Sequence, residues 1–354
     1  MDQMEVILLA AGMGERMRPL TLYYPKPVLP IVGKPILTRL IELFKQVDCM
    51  DFIIVKGGEG DAIEQAAALV DGIRVRYAIQ EPPNGMGDAL RCIREQIDPL
   101  PEHFILSATD VLYNLQGIEM MLSSHAKTGA DATLSLFRSP DIRFARGHGN
   151  VTVNKTLGIT KIVEKPGEEN ALSEYYSLPT YIFNKDLFVL LDQIKPSIRG
   201  EVELQDAIEF LIEKGKKIQG VPIIPDQEKL DLIGKYHITT IFDFFLMNMV
   251  NFKGMIIPNL DEYPTIIEPV YVDSGVTVKE SCFIGPKAYI RAPTTLEEGV
   301  ELSEVVVFEN VVIGKRAKLQ KCVVLPGSRV PANAKYSNQI ITQTGNIPLG
   351  ENIK

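Results

Sequence analysis

From Ile266 onward, aliphatic residues recur at every sixth position: Ile266, Val272, Val278, Ile284, Ile290, Leu296 and Leu302, then, after a one-residue slip, Val307, Ile313, Leu319 and Leu325. An α-helix repeats its faces every 3.6 residues and a flat strand every second residue, so period six fits neither. Four positions after most of these stand small or β-branched residues: Val270, Val276, Cys282, Ala288, Thr294, Val300, Val311, Ala317 and Val323. Such a repeat stacks short strands around a common core, one hexad per side of a triangular coil. The C-terminal region must therefore be built separately from what precedes it.

The preceding residues follow another pattern. Val6 to Leu9 has the length and aliphatic content of a strand buried on both faces. Ile36 to Val47 carries apolar residues at helical spacing, and Phe52 to Val55 is a second buried strand. Further strands are predicted at Arg74 to Ile79, Phe104 to Ser107, Ala132 to Phe137, Asn150 to Val153, Ile159 to Val163 and Thr180 to Phe183, with helical patterns between several of them. This alternation predicts an open α/β sheet, mostly parallel. The apolar stretch Ile238 to Phe252 is interrupted by Asp243 and Asn248 and is too short to span a bilayer, so it reads as an amphipathic connector. The expected organisation is a sheet domain over 1–235, a connecting helix over 236–255 and the repeat over 256–354.

Composition narrows the partners. With 37 basic and 45 acidic residues the net charge is −8, and no basic run stands out, which argues against nucleic acid or anionic membrane as a partner. Small anions must be held by local cations instead. Cys49, Cys92, Cys282 and Cys322 lack metal-ligand spacing, and the N-terminus lacks a signal-like pattern, so a reduced, cytoplasmic protein is expected.

Those local cations flank a glycine loop. After the first strand the chain reads Ala10-Ala11-Gly12-Met13-Gly14-Glu15-Arg16-Met17-Arg18-Pro19-Leu20-Thr21, then Pro25-Lys26-Pro27. Glycines let the backbone approach a ligand, exposed N–H groups form an anion-binding concavity, and Arg16 and Lys26 add two positive charges. The alternative is a plain strand-to-helix turn with solvated cations. The loop is neither a Walker loop, which needs Gly-Lys-Ser/Thr, nor a dinucleotide fingerprint, which needs a glycine where Met17 stands.

This segment resembles the signature of the sugar-1-phosphate nucleotidylyltransferases, a Leu-Ala-(Ala/Gly)-Gly-x-Gly-Thr-Arg loop followed by Pro-Leu-Thr and Pro-Lys-Pro, with Glu15 in place of the usual Thr. The resemblance implies a Rossmann-like nucleotidyltransferase domain followed by a left-handed parallel β-helix. It implies that Leu9, Ala11, Gly12, Gly14, Glu15 and Arg16 hold a nucleoside triphosphate, with Arg16 and Lys26 catalytic.

Two carboxylates at element ends, Asp110 after Leu106-Ser107-Ala108-Thr109 and Asp231 in Leu230-Asp231-Leu232-Ile233-Gly234, can share one hard cation, as Mg²⁺ on a triphosphate requires. Either alone reads as a cap or turn residue; the family places its metal ligands in such elements, with glycine where Thr109 stands. Gln80, five residues before Gly85, offers an amide suited to a pyrimidine edge. In thymidylyl- and uridylyl-transferring members a Gln and Gly at this spacing read the base.

The resemblance further assigns Gly149, Glu164 and Lys165 to the sugar phosphate, with Lys165 also catalytic, and Arg199 to its phosphate. Thr180 stands where the family has glycine and would reshape the sugar pocket. The implied reaction is Mg²⁺-dependent attack of a sugar-1-phosphate on a nucleoside triphosphate, dTTP or UTP with glucose-1-phosphate being favoured. Alternatives are GTP with mannose-1-phosphate, UTP with an N-acetylhexosamine-1-phosphate, or a catalytically silent sensor of NDP-sugars. Acetyl transfer by the repeat is disfavoured, since His103, His125, His148 and His237 all lie outside it. The repeat is expected to serve assembly of a homo-oligomer or regulation, with the Ile238 to Phe252 helix packing between subunits.

Overall fold

The computed structural model describes residues 4–58, 60–195, 197, 200–226, 233–258 and 264–350. In chain order its elements begin β1 (Glu5–Leu9), β2 (Pro30–Ile31), β3 (Lys34–Pro35), α1 (Ile36–Lys45), β4 (Asp51–Lys56), α2 (Asp61–Ala67), β5 (Arg74–Ile79), α3 (Met86–Gln96), β6 (His103–Ala108) and α4 (Leu115–Thr128). They continue with β7 (Ala132–Arg138), β8 (Gly149–Val153), β9 (Ile159–Glu164), β10 (Tyr175–Asn184), α5 (Asp186–Leu190), α6 (Leu204–Glu213), β11 (Ile218–Pro222) and α7 (Ile241–Asn251). Two compact units form: one of Met1–Met13, Pro25–Val28 and Ile36–Tyr236, the other of Gly14–Tyr24, Leu29–Pro35 and His237–Lys354. The glycine-loop segment is thus divided between them, a partition that sequence spacing does not disclose.

The first unit is an α/β sheet in the order β11-β7-β10-β6-β1-β4-β5, with β8 and β9 appended beside β10. Strands β6, β1, β4 and β5 run parallel, as do β7 and β11, whereas β10 is antiparallel to both neighbours. Ile7, Ile53 and Val55 share a core with Leu90, Ile93, Leu187 and Ile208 from α3, α5 and α6. Their alternating neighbours Val6, Leu8, Phe52 and Ile54 are equally buried, so both faces of the sheet are covered, as a parallel sheet requires. From β1 the chain proceeds outward through β4 and β5, then returns to place β6 on the other side of β1. This reversal is a topological switch point, where open α/β sheets bind ligands beyond the carboxyl ends of their strands.

In the second unit the repeat forms a parallel β-helix. Val270 pairs with Ala288 and Ala288 with Val305, steps of 18 and 17 residues, or one coil. Three stacks of short strands make its faces: Val270–Val272 with Ala288–Ile290, Val276–Val278 with Thr294–Leu296, and Thr265–Ile266 with Phe283–Ile284. Interior positions form one aliphatic core.

The single slip expected after Leu302 recurs in every later coil. From Glu304 onward the left-handed corners fall at Asn310, Arg316, Lys321, Gly327, Asn333 and Asn338, intervals of six, six and five repeating. On the short face Cys322 and Val324 occupy the interior positions, whereas the strict six-residue count placed Val323 and Leu325 there. The corner at Lys321 arrives one residue early and advances the register.

Helix α7 opens with a capping box between Thr240 and Asp243. Its Phe244, Phe245, Met247 and Met249 are buried within the chain, whereas Val250 on the same helix is exposed. Among the described residues no helix is long and apolar enough to cross a membrane.

Candidate functional site

The site assembles at the switch point of the first unit. Leu9 ends β1 beside Ala108, the last residue of β6, and the chain then leaves the sheet through Ala10, Ala11 and Gly12. Just after β6, Thr109 turns its hydroxyl back to donate to the Leu9 carbonyl at 2.8 Å. A glycine could not make this bond, so Thr109 fixes the exit of the glycine loop to the neighbouring strand; its role is invisible in the sequence because the partner is a backbone carbonyl.

Next to it, the Lys26 ammonium donates to Asp110 Oδ2 at 2.6 Å, with 12% and 21% of the two side chains exposed. Eighty-four residues apart, these two predicted site residues are brought into direct contact. The carboxylate already holds a cation, the Lys26 ammonium, as suits a hard-oxygen ligand to a divalent metal. Among the described residues no cluster of three His, Cys, Asp or Glu side chains could hold a metal by itself. A metal bound here would complete its shell with substrate phosphates and water, the usual habit of Mg²⁺. Asp231 and Arg199 lie outside the described residues.

The turn after β5 presents Gln80 and Gly85. Gln80 is buried, and its Nε2 donates to the Gly85 carbonyl at 3.0 Å and to Asp88 Oδ2 at 2.8 Å. Both amide hydrogens are spent on shaping the turn, which leaves the carbonyl end as the part that can accept from a base N–H. Gly85 takes φ +96°, and a Cβ there would lie 2.9 Å from the Val202 carbonyl and 3.2 Å from Glu201 Cβ. Only glycine allows this approach. Gly87 N–H donates to Val202 O and Val202 N–H to Asn84 O, so the stretch following Gly200 is tied to the turn.

A second cluster forms between β8, β9, β10 and α6. A Cβ on Gly149 would meet Ser177 Oγ at 2.5 Å, Glu164 Oε2 at 3.2 Å and Gln205 Cγ at 3.4 Å, so three polar side chains converge on that glycine. Lys165 Nζ lies 3.0 Å from Glu164 Oε1. Lys165 itself takes φ +44°, an uncommon conformation for a long side chain and one associated with functional positions.

Tyr181 and Gln205, assigned no role from sequence, join this cluster: Gln205 Nε2 donates to Tyr181 Oη at 3.4 Å, while Gln205 Oε1 is buried and has no hydrogen-bond partner among the described residues. Turning the amide over would only exchange which end is left over. Burial pushes the Tyr181 phenol well above its ordinary pKa, with Glu164 adding to the effect, so it stays protonated. The cluster thus holds buried polar groups around a glycine, the composition of a site that recognises hydroxyls.

Thr180 points elsewhere. Its hydroxyl pairs with Ser107 Oγ at 2.8 Å inside the sheet, and it is fully buried. Gly14, Glu15 and Arg16 belong to the second unit: Gly14, at φ +63°, precedes a short 3₁₀ turn, and both Glu15 and Arg16 are exposed.

A family model described as nucleotidyl transferase matches residues 5–223, and one described as GMPPB C-terminal domain matches 266–346. The bifunctional protein GlmU of Methanocaldococcus jannaschii is 26% identical over 97% of this chain and 78% of its own length. The UTP--glucose-1-phosphate uridylyltransferase AglF of Haloferax volcanii is 31% identical over 65% of this chain and 91% of its own. A crystal structure of UDP-glucose pyrophosphorylase complexed with UDP-glucose shares the fold, with a TM-score of 0.56 at 22% identity, over 62% of this chain and 90% of that one. The chain belongs to the sugar-1-phosphate nucleotidylyltransferase family and is a sugar-phosphate nucleotidyltransferase.

Proposed function

We propose, with that family as the premise, that this chain transfers the nucleotidyl group of UTP or dTTP to glucose-1-phosphate, in the presence of Mg²⁺, giving an NDP-sugar and pyrophosphate. The observation that carries the reading is the Lys26–Asp110 pair beside the carboxyl ends of β1 and β6. It combines an ammonium for phosphate with a carboxylate for a metal, at the sheet position where nucleotides bind. The named activity of the Haloferax relative supports the choice of uridine and glucose.

A sugar-phosphate oxygen attacks the α-phosphorus in line; a P–O bond forms and the bond to the β-phosphate oxygen breaks. The attacking phosphate is already ionised near neutral pH, so no general base is needed. Catalysis then consists of positioning and neutralising charge. Leu9, Ala11, Gly12, Gly14, Glu15 and Arg16 cradle the triphosphate, and Lys26 exchanges its carboxylate for phosphate oxygens. Gln80 accepts from the base N3–H, with Gly85 beside it. Gly149 and Glu164 take sugar hydroxyls, Lys165 and Arg199 the sugar phosphate, and Thr180 shapes the strand behind them. Asp110 and Asp231 would hold Mg²⁺, which neutralises phosphate charge when bound.

The test is pyrophosphate release across UTP, dTTP, GTP, CTP and ATP, each with glucose-, mannose- and N-acetylglucosamine-1-phosphate. Fast release with UTP or dTTP and glucose-1-phosphate alone is the expected result. Preference for GTP with mannose-1-phosphate replaces the substrate assignment, and no release from folded protein moves the reading to an NDP-sugar sensor. Light scattering tests the accompanying expectation of a homo-oligomer.

A further inference from the structure

Segments Gly14–Tyr24 and Leu29–Pro35 flank Lys26 and are built into the second unit with the β-helix and α7. Two clamps hold them. In the first, the Tyr24 ring stacks on Phe308 with centroids 5.6 Å apart, and Phe308 stacks in turn on Phe244 of α7 at 6.0 Å. The Arg291 guanidinium lies over both Tyr24 and Phe308, at 5.4 and 5.8 Å, and is oriented by an ion pair with Glu309 at 3.0 Å. Aromatic stacking and cation–π attraction both act here on a ring anchored in the fold.

In the second clamp, Asn248 of α7 is fully buried. Its Oδ1 accepts from Val32 N–H at 2.9 Å, and its Nδ2 donates to the Pro30 carbonyl at 3.4 Å and to Phe244 O at 3.0 Å. Beside it Gly33 lies so close to Tyr271 that a Cβ would sit 2.4 Å from the ring. Leu29 and Ile31 of the same segment are fully buried.

We propose that the C-terminal unit positions the triphosphate-binding segment, with Arg291 and Asn248 as positioning residues that set turnover without touching substrate. The inference rests on the reading of Gly14, Glu15, Arg16 and Lys26 as triphosphate ligands. A segment with fixed points at Tyr24 and Val32 loses conformational freedom before the nucleotide arrives, and that ordering cost is removed from binding and catalysis. In the present chain the β-helix serves the loop directly.

The test uses full-length Arg291→Ala, Arg291→Lys and Asn248→Ala, with Leu319→Ala as a control that weakens the β-helix core away from both clamps. Two readouts are taken: kcat and KM for each substrate, and the rate of tryptic cleavage after Arg16, since Arg18 and Lys26 each precede proline and resist trypsin. Arg291→Ala and Asn248→Ala are expected to lower kcat/KM for the nucleotide by tens to about 100-fold, the scale of a misplaced reacting group. Cleavage at Arg16 should speed up in parallel through local opening. Arg291→Lys should restore most of both, and Leu319→Ala should change neither at a temperature where it is folded.

Clamp variants with wild-type kinetics and cleavage overturn the proposal, as does a Leu319→Ala control that loses as much as they do. Faster cleavage with unchanged kinetics overturns the catalytic part. A wild type that is inactive with every substrate pair and binds no nucleotide overturns the site reading first, and the proposal with it.

Discussion

Asp110→Asn separates the electrostatic role of the carboxylate from its structural one. The pair with Lys26 spans 2.6 Å, which at an effective dielectric constant of about 20 is an attraction of about 6 kcal/mol. Desolvation cancels most of it. Losing one partner of a fully buried pair costs about 3–5 kcal/mol, and an exposed pair contributes about 0.2–1 kcal/mol. With 12% and 21% of the side chains exposed this pair lies between those limits, at about 2 kcal/mol. Asparagine keeps the shape and can still accept from Lys26, which reduces the loss further. At roughly 2–4 °C per kcal/mol for chains of this order of size, the thermal midpoint should fall by less than about 8 °C, and the protein stays folded at 25 °C. Turnover should respond on another scale. Removing one preorganised group that stabilises transition-state charge costs about 10²–10³ in rate, and losing a metal ligand also raises the Mg²⁺ concentration for half-maximal rate. The assay is Mg²⁺-dependent pyrophosphate release, with circular dichroism on the same samples. Near-wild-type release from a folded Asp110→Asn protein removes Asp110 from the metal site and the Lys26–Asp110 pair from the mechanism.

Gln80→Ala should lower the preference for UTP over CTP by about tenfold, the value of one lost buried hydrogen bond; unchanged ratios of kcat/KM would sink the base assignment. Gly33→Ala combines φ +81° with a Cβ 2.4 Å from Tyr271 and should lower the thermal midpoint, and shortening the neighbour in Tyr271→Ala should recover the part due to the clash. A midpoint equal to wild type in the single variant refutes the close packing. Burial, with repulsion from His103, depresses the pKa of His125, whose Nδ1 pairs with Thr133 Oγ1 at 2.9 Å. The native state therefore binds its proton less readily than the unfolded state, and this contribution is present above about pH 6.5 and is lost as pH falls toward the depressed value. Urea midpoints for His125→Gln should show a flatter decline over that range; an identical decline rules His125 out as its source.

What could be read from the sequence divides along the range of the interactions. Local periodicity disclosed the α/β sheet and the coil of the repeat, because burial at fixed intervals leaves a mark on the residues themselves. The recurring five-residue face was missed because its corner falls on Lys321, a residue with no marked preference for the left-handed conformation it adopts, and because Val323 and Leu325 are as apolar as the neighbours that took the interior positions. The candidate site residues are proposed from motif, and their internal partners are not legible there. Gln80 stood out as an amide near a glycine, and its donors proved to be spent on Gly85 and Asp88. Thr109 looked like a departure from the family pattern and supplies a hydrogen bond that glycine cannot. Asn248 marks the limit most clearly. In the sequence it interrupts an apolar helical stretch, and a buried amide there must have partners. One is the Phe244 carbonyl a turn earlier in the same helix; the other two are the backbone of Pro30 and Val32, more than 200 positions away. A side chain's need for a partner is therefore legible in one dimension, while the identity of a backbone partner is settled only when the fold brings it within hydrogen-bonding distance.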